Sequence, residues 1–139
     1  MIIKGHKNKK ISVAKDIANI FYAILNTLDS IDKDKEHFYV ICLDSSNKIK
    51  LIDLVSVGLL DKAMVHPREV FRRAIMEGSA AIICGHNHPG GDLTPSQADI
   101  RTTDQLKEGG KLLGIRFLDH IIINNEGEHF SFQEAGMMG

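Results

Sequence analysis

The chain has 139 residues and a formal charge of −1, a size suited to one domain that buries roughly two thirds of the surface its unfolded form exposes. Its balanced charge lacks the basic excess that phosphate contacts demand, so a nucleic-acid partner has only weak support, from a local lysine cluster. Cys42 and Cys84 lie in apolar stretches and read as buried thiols rather than a disulfide, and no segment has the pattern of a signal peptide or the length of a membrane span. A cytoplasmic protein with no membrane partner is expected.

Residues 1–10 carry Lys4, Lys7, Lys9 and Lys10 and read as a flexible basic N-terminus. From Ser12 to Leu28, apolar residues recur at Val13, Ile17, Ile20, Phe21, Ile24, Leu25 and Leu28, the spacing of one helical face, with Ser12 as its cap. The charged stretch Asp29 to Lys35 reads as a loop. Glu36 to Leu43 is rich in aromatic and branched residues and predicts a strand, joined through Ser45-Ser46-Asn47 to a second strand, Lys48 to Val57, as a hairpin.

Pro67 suits the first turn of a helix that runs to Glu77 and ends at Gly78. Ala80 to Cys84 has the length of a buried strand, and His86 to Leu93, rich in glycine and proline, predicts an irregular loop at its end. Thr94-Pro95-Ser96-Gln97 looks like a capping box with proline at the first helical position, opening a helix to Leu113 with Gly114 after it. Arg116 to Asn124 and Glu128 to Phe132 predict a final hairpin around Asn125-Glu126-Gly127. The order α-β-β-α-β-α-β-β implies an α/β (α+β) fold, one mixed sheet with helices packed on it, in a single domain over residues 1–139.

The chemistry concentrates at His86-Asn87-His88, followed by Ser96 and Asp99. Side chains two apart on a strand share a side, so His86 and His88 can point at one atom. Ser96 and Asp99 are three apart on a helix and share a face, so Asp99 can complete a metal triad. Three protein ligands with an open position suit catalytic zinc, one ion, better than a structural site. Cys84 could supply a fourth ligand, but a buried strand thiol is the better reading.

A hydrolytic site also needs a proton carrier. Glu36 is the candidate, set against the plain alternative of a surface glutamate at a strand end. Ser96, at a helix start, can donate to an oxyanion, set against a simple first-turn serine. His120 either approaches this site or, the favoured reading, is a structural histidine bonded to backbone, and His66 is read the same way.

His86-Asn87-His88, the seven residues Pro89 to Pro95, and Ser96-Gln97-Ala98-Asp99 together resemble, without gaps, the JAMM metalloprotease motif of the MPN/JAB fold. That resemblance implies a catalytic glutamate at the start of an early strand, the place of Glu36. VHPREVF (65–71), GHNHPGGDLTPSQADI (85–100) and LLGIRFLDHIIIN (112–124) are similar to the bacterial RadC family over about residues 30–139. Gly90 stands where that family commonly has serine, a change that touches no expected ligand. The resemblance implies a cytidine-deaminase-like mixed sheet flanked by helices, in a short stand-alone form without the helix-hairpin-helix region of longer RadC proteins.

The expected function is zinc-dependent hydrolysis of an amide, as a metallopeptidase or isopeptidase acting on a protein or peptide: His86, His88 and Asp99 hold the metal, and Glu36 and Ser96 are catalytic. The alternative is a metal-containing nucleic-acid or protein-binding module associated with DNA repair or recombination, supported by the lysine-rich start and the family name. The contiguous HNH string differs from the dispersed residues of HNH nucleases. The H-x-E and P-C-x-x-C pair of zinc deaminases and the H-E-x-x-H of zincins do not occur. No short stretch names a substrate or an oligomeric state.

Overall fold

Glu36–Leu43 is buried from its second residue to its last, as expected of a strand covered on both faces. In a computed structural model, which describes residues 1–58 and 65–138, it lies at the middle of a six-stranded mixed sheet flanked by helices. In chain order the elements are β1 (Ile2–Ile3), α1 (Ala14–Leu25), α2 (Ser30–Lys33), β2 (Glu36–Leu43), β3 (Ile49–Gly58), α3 (Pro67–Met76), β4 (Ala81–Asn87), α4 (Gln97–Leu113), β5 (Arg116–Ile123) and β6 (His129–Ser131). The strand order is β1-β3-β2-β4-β5-β6; β4 and β5 run parallel, and the other neighbours are antiparallel.

Strand alternation divides the core in two. Tyr39, Ile41 and Leu43 of β2 face α1, where they join Ile83, Ile121 and Ile123 around Ile17, Phe21 and Ile24. Phe38, Val40 and Cys42 face the other way, with Ile82 and Cys84, onto Val70 and Phe71 of α3 and Leu106 of α4. Both cysteines are free and fully buried. By the same alternation Glu36, His86 and His88 belong to the α3/α4 side.

The β2–β3 hairpin forms as expected. Asn47 takes a left-handed turn conformation (φ 61°) while Asp44 Oδ1 accepts from Ser46 N–H and Lys48 N–H. Gly78 and Gly114 end α3 and α4 with positive φ, the conformation glycine tolerates best. His66 is the cap of α3, its Nδ1 accepting from Arg68 N–H at 3.1 Å.

Four expectations change. Residues 1–10, expected to be a flexible arm, instead add an edge: Ile2 and Ile3 pair with β3, and Lys10 bridges to Lys48. The cap of α1 is Val13, not Ser12, because Asp16 reaches back to both N–H groups. The charged stretch 29–35 holds a helical turn, started by Asp29 Oδ1 accepting from Asp32 N–H. Strand β4 continues through His86 and Asn87, so the irregular loop begins two residues later than expected. Among the described residues, no helix is long and apolar enough to cross a membrane.

Gly85, inside β4, is packed so closely on Phe21 of α1 that an added Cβ would run into the ring. Gly85→Ala should therefore lower the unfolding free energy by about 1–3 kcal/mol in urea titration. Gly90→Ala, whose Cβ would meet nothing within 4 Å, should stay within about 0.5 kcal/mol of the parent.

Candidate metal centre

The β2–β4 register brings the distant sequence pieces together. Phe38 pairs with His86, and two residues further along this antiparallel pair Glu36 comes level with His88. Asn87, between the histidines, points to the other face and ties down the entry to β2. His37 N–H donates to Asn87 Oδ1 at 2.7 Å, and Asn87 Nδ2 donates to Lys35 O at 3.0 Å. Sequence reasoning assigned Asn87 nothing, although a polar side chain that continues an apolar strand is a signal of a buried hydrogen-bonding duty.

Ser96 and Asp99 form the capping box of α4. Ser96 Oγ accepts from Asp99 N–H at 3.0 Å, and Asp99 Oδ2 accepts from Ser96 N–H at 2.9 Å. Thr94 and Gln97 do not play these parts: Ser96 is the N-cap, and Pro95 precedes it. The Ser-x-x-Asp spacing is thus a helix-start device that also holds a carboxylate in place.

From that position Asp99 faces both histidines. Asp99 Oδ1 lies 3.3 Å from His86 Nε2, Asp99 Oδ2 lies 3.2 Å from His88 Nε2, and the two Nε2 atoms are 3.0 Å apart. Glu36 Oε1 lies 3.8 Å from His88 Nε2, and Glu36, His86 and His88 also offer donor atoms within 4.8 Å of one another. The structure therefore brings together four of the five expected residues around the histidine pair, while Ser96 stands at the exposed helix start behind Asp99.

This donor set can hold a metal ion. Ligand atoms about 2.0–2.1 Å from a tetrahedral ion such as zinc stand about 3.3 Å from one another, close to the spacing of His86, His88 and Asp99. His88 Nδ1 is 2.8 Å from Asp92 O; a carbonyl only accepts, so Nδ1 carries a hydrogen, and in the neutral form of the ring Nε2 is bare and faces inward. A cavity of about 20 Å³ lined by Glu36, Phe38, His86, Asp99, Thr102 and His120 adjoins these atoms, room for roughly one water.

Electrostatics agree with this. Burial alone would raise Asp99, but its close approach to the His86 and His88 rings holds its carboxyl well below the usual carboxylate range. Burial alone would lower His88, but the Asp99 hydrogen bond, the Asp92 carbonyl and the charges of Asp99 and Glu36 outweigh it and hold the ring above the ordinary histidine value. His120 is driven well below that value by burial. Contrary to the favoured reading, both its ring nitrogens meet side chains: Nε2 lies 2.8 Å from His86 Nδ1, and Nδ1 lies 2.7 Å from Thr103 Oγ1.

Comparison with known proteins places the chain in a family. The family model of the RadC-like JAB domain matches residues 11–137. The chain belongs to that family. A UPF0758 protein of Methanosarcina barkeri is 45% identical over 130 residues, covering 94% of this chain and 54% of its own length. One from Pelodictyon phaeoclathratiforme is 47% identical over 131 residues, covering 94% and 56%, and one from Pelobacter propionicus is 52% identical over 107 residues, covering 77% and 46%. This RadC-like JAB chain spans about half the length of the curated relatives it matches.

Two outcomes are expected. With His88 as a ligand, metal binding displaces a proton from it below the raised pKa of the ring, so affinity should be full above that pKa and fall about tenfold per pH unit below it, read by zinc competition titrations between about pH 8 and pH 5. Asn87→Ala leaves the buried His37 N–H without its acceptor and should cost about 1–3 kcal/mol of stability, measured by chemical denaturation of the metal-free protein.

Proposed function

We propose that this chain is a zinc-dependent hydrolase of JAMM type, a metallopeptidase or isopeptidase that cleaves an amide bond in a protein or peptide. The observation that carries the reading is the convergence of His86, His88 and Asp99 on one point, with the Glu36 carboxylate 3.8 Å from His88 Nε2. His86 Nε2, His88 Nε2 and the Asp99 carboxylate would hold the ion. When bound, zinc supplies Lewis-acid chemistry, acidifying a water and polarising the amide carbonyl.

Glu36 is the proton carrier on this reading. Its carboxylate borders the cavity and takes a proton from the attacking water, then delivers it to the departing amine. Ser96 Oγ has one lone pair engaged by Asp99 N–H, which leaves its hydroxyl hydrogen to donate to the oxyanion that develops on the substrate carbonyl. Ser96 also steadies Asp99 through its own N–H. The buried free thiols of Cys42 and Cys84 fit a reducing cytoplasm.

The test is metal analysis of purified protein combined with peptide-library cleavage. Wild type and Glu36→Gln should each carry one zinc per chain, and His88→Ala should carry none. Cleavage by Glu36→Gln should fall about 10²–10⁴-fold. A wild-type protein that takes up no stoichiometric zinc, or a Glu36→Gln variant that cleaves at the parent rate, would overturn the assignment.

A further inference from the structure

A hydrogen-bonded chain leads from His86 away from the solvent, and nothing in the proposed reaction uses it. His86 Nδ1 is 2.8 Å from His120 Nε2, His120 Nδ1 is 2.7 Å from Thr103 Oγ1, and Thr103 Oγ1 is 2.8 Å from Asp99 O. His120 is 0% exposed and Thr103 1%. The His120 ring is stacked on Phe132 at 4.9 Å and meets Phe38 edge-on at 5.6 Å, so its plane is fixed by packing.

The direction of this chain follows from its last acceptor. Asp99 O is a carbonyl and cannot donate. Thr103 lies four residues after Asp99 on α4, where a threonine hydroxyl ordinarily bonds back to the carbonyl one turn earlier. Its single hydrogen is then spent, and Thr103 Oγ1 can only accept, so His120 Nδ1 carries a hydrogen. A neutral, fully buried His120 then has a bare Nε2, which accepts from His86 Nδ1–H. In its neutral form the His86 ring is then left with a bare Nε2 facing His88 and Asp99.

We propose that Thr103 and His120 are positioning residues that set the tautomer of His86 in the metal-free protein, so that its Nε2 lone pair is aimed at the cluster before any ion arrives. This deepens the metal-centre reading and rests on His86 being a ligand. Partners behind a ligating histidine commonly fix its ring and raise its basicity. Here the partner is a second histidine, whose own hydrogen is placed by the helix that carries Asp99. One helix thus supplies a carboxylate to the cluster and also orients a nitrogen within it.

Long-range ¹H–¹⁵N correlation spectra of the chelator-treated protein read the tautomers directly. His86 and His120 should both carry their hydrogen on Nδ1. A hydrogen on Nε2 of either ring overturns the proposal, since the chain would then run the other way and place a hydrogen between His86 Nε2 and its neighbours. Thr103→Val keeps the side-chain shape and removes the hydroxyl. It should shift His120 off the Nδ1–H form and weaken zinc binding about 10- to 100-fold, while Thr103→Ser restores both.

Unchanged tautomers and affinity in Thr103→Val would equally overturn it. Should Thr103→Val not fold, the wild-type and Thr103→Ser spectra still decide. A wild type that binds no zinc would defeat the metal reading on its own, whereas the metal-free spectrum judges the relay, so the two failures are distinguishable.

Discussion

The antiparallel register of β2 on β4 is the constraint on which the centre depends. With Phe38 opposite His86, Glu36 is carried to the level of His88 although fifty residues of chain separate Glu36 from His86. A slip of one residue would turn Glu36 to the opposite face of the sheet, away from both histidines. The Asn87 side chain opposes such a slip. It clamps the entry to β2, accepting from His37 N–H and donating to the carbonyls of Lys33 and Lys35, on the face away from the cluster. The middle residue of the His-Asn-His string thus holds the frame, and its two neighbours face the site.

A second constraint comes from α4. Its capping box satisfies orphan amide groups at the helix start and in the same stroke fixes the Asp99 carboxylate against two imidazoles. Fold and site therefore share atoms. Such a cluster is poor in stabilising value by itself, because buried polar groups gain little unless every one is paired. A cation seated among bare nitrogens and carboxylate oxygens would supply the missing charge, and its binding would be coupled to folding.

Much of this was legible in the residues, wherever a local pattern and its tertiary partner agree. Glu36 to Leu43 emerged with both ends correct because an apolar strand buried on two faces has a sharp polar boundary on each side. Gly114 marked the end of α4 for the same local reason, a positive φ of 68°. The errors arose where local chemistry points two ways. Histidine and asparagine do not look like strand residues, so the local pattern ends β4 before His86, whereas pairing with β2 and β5 carries it through Asn87. Thr94-Pro95-Ser96-Gln97 imitates a capping box two residues before the real one. The lysines of residues 1–10 conceal Ile2 and Ile3, which β3 recruits. The placement of His120 depends on the parallel pairing of β4 and β5, which puts it level with Cys84 and beneath His86, and no spacing within the chain reports that.

The cavity beside the cluster, about 20 Å³, bears on how a substrate would be chosen. It has space for a solvent molecule and none for an amino-acid side chain. On the proposed reading, this cavity would hold a water beside Glu36, and the substrate's side chains would lie outside it. Preference for one protein over another would then come from contacts outside this cavity rather than from the space beside the cluster.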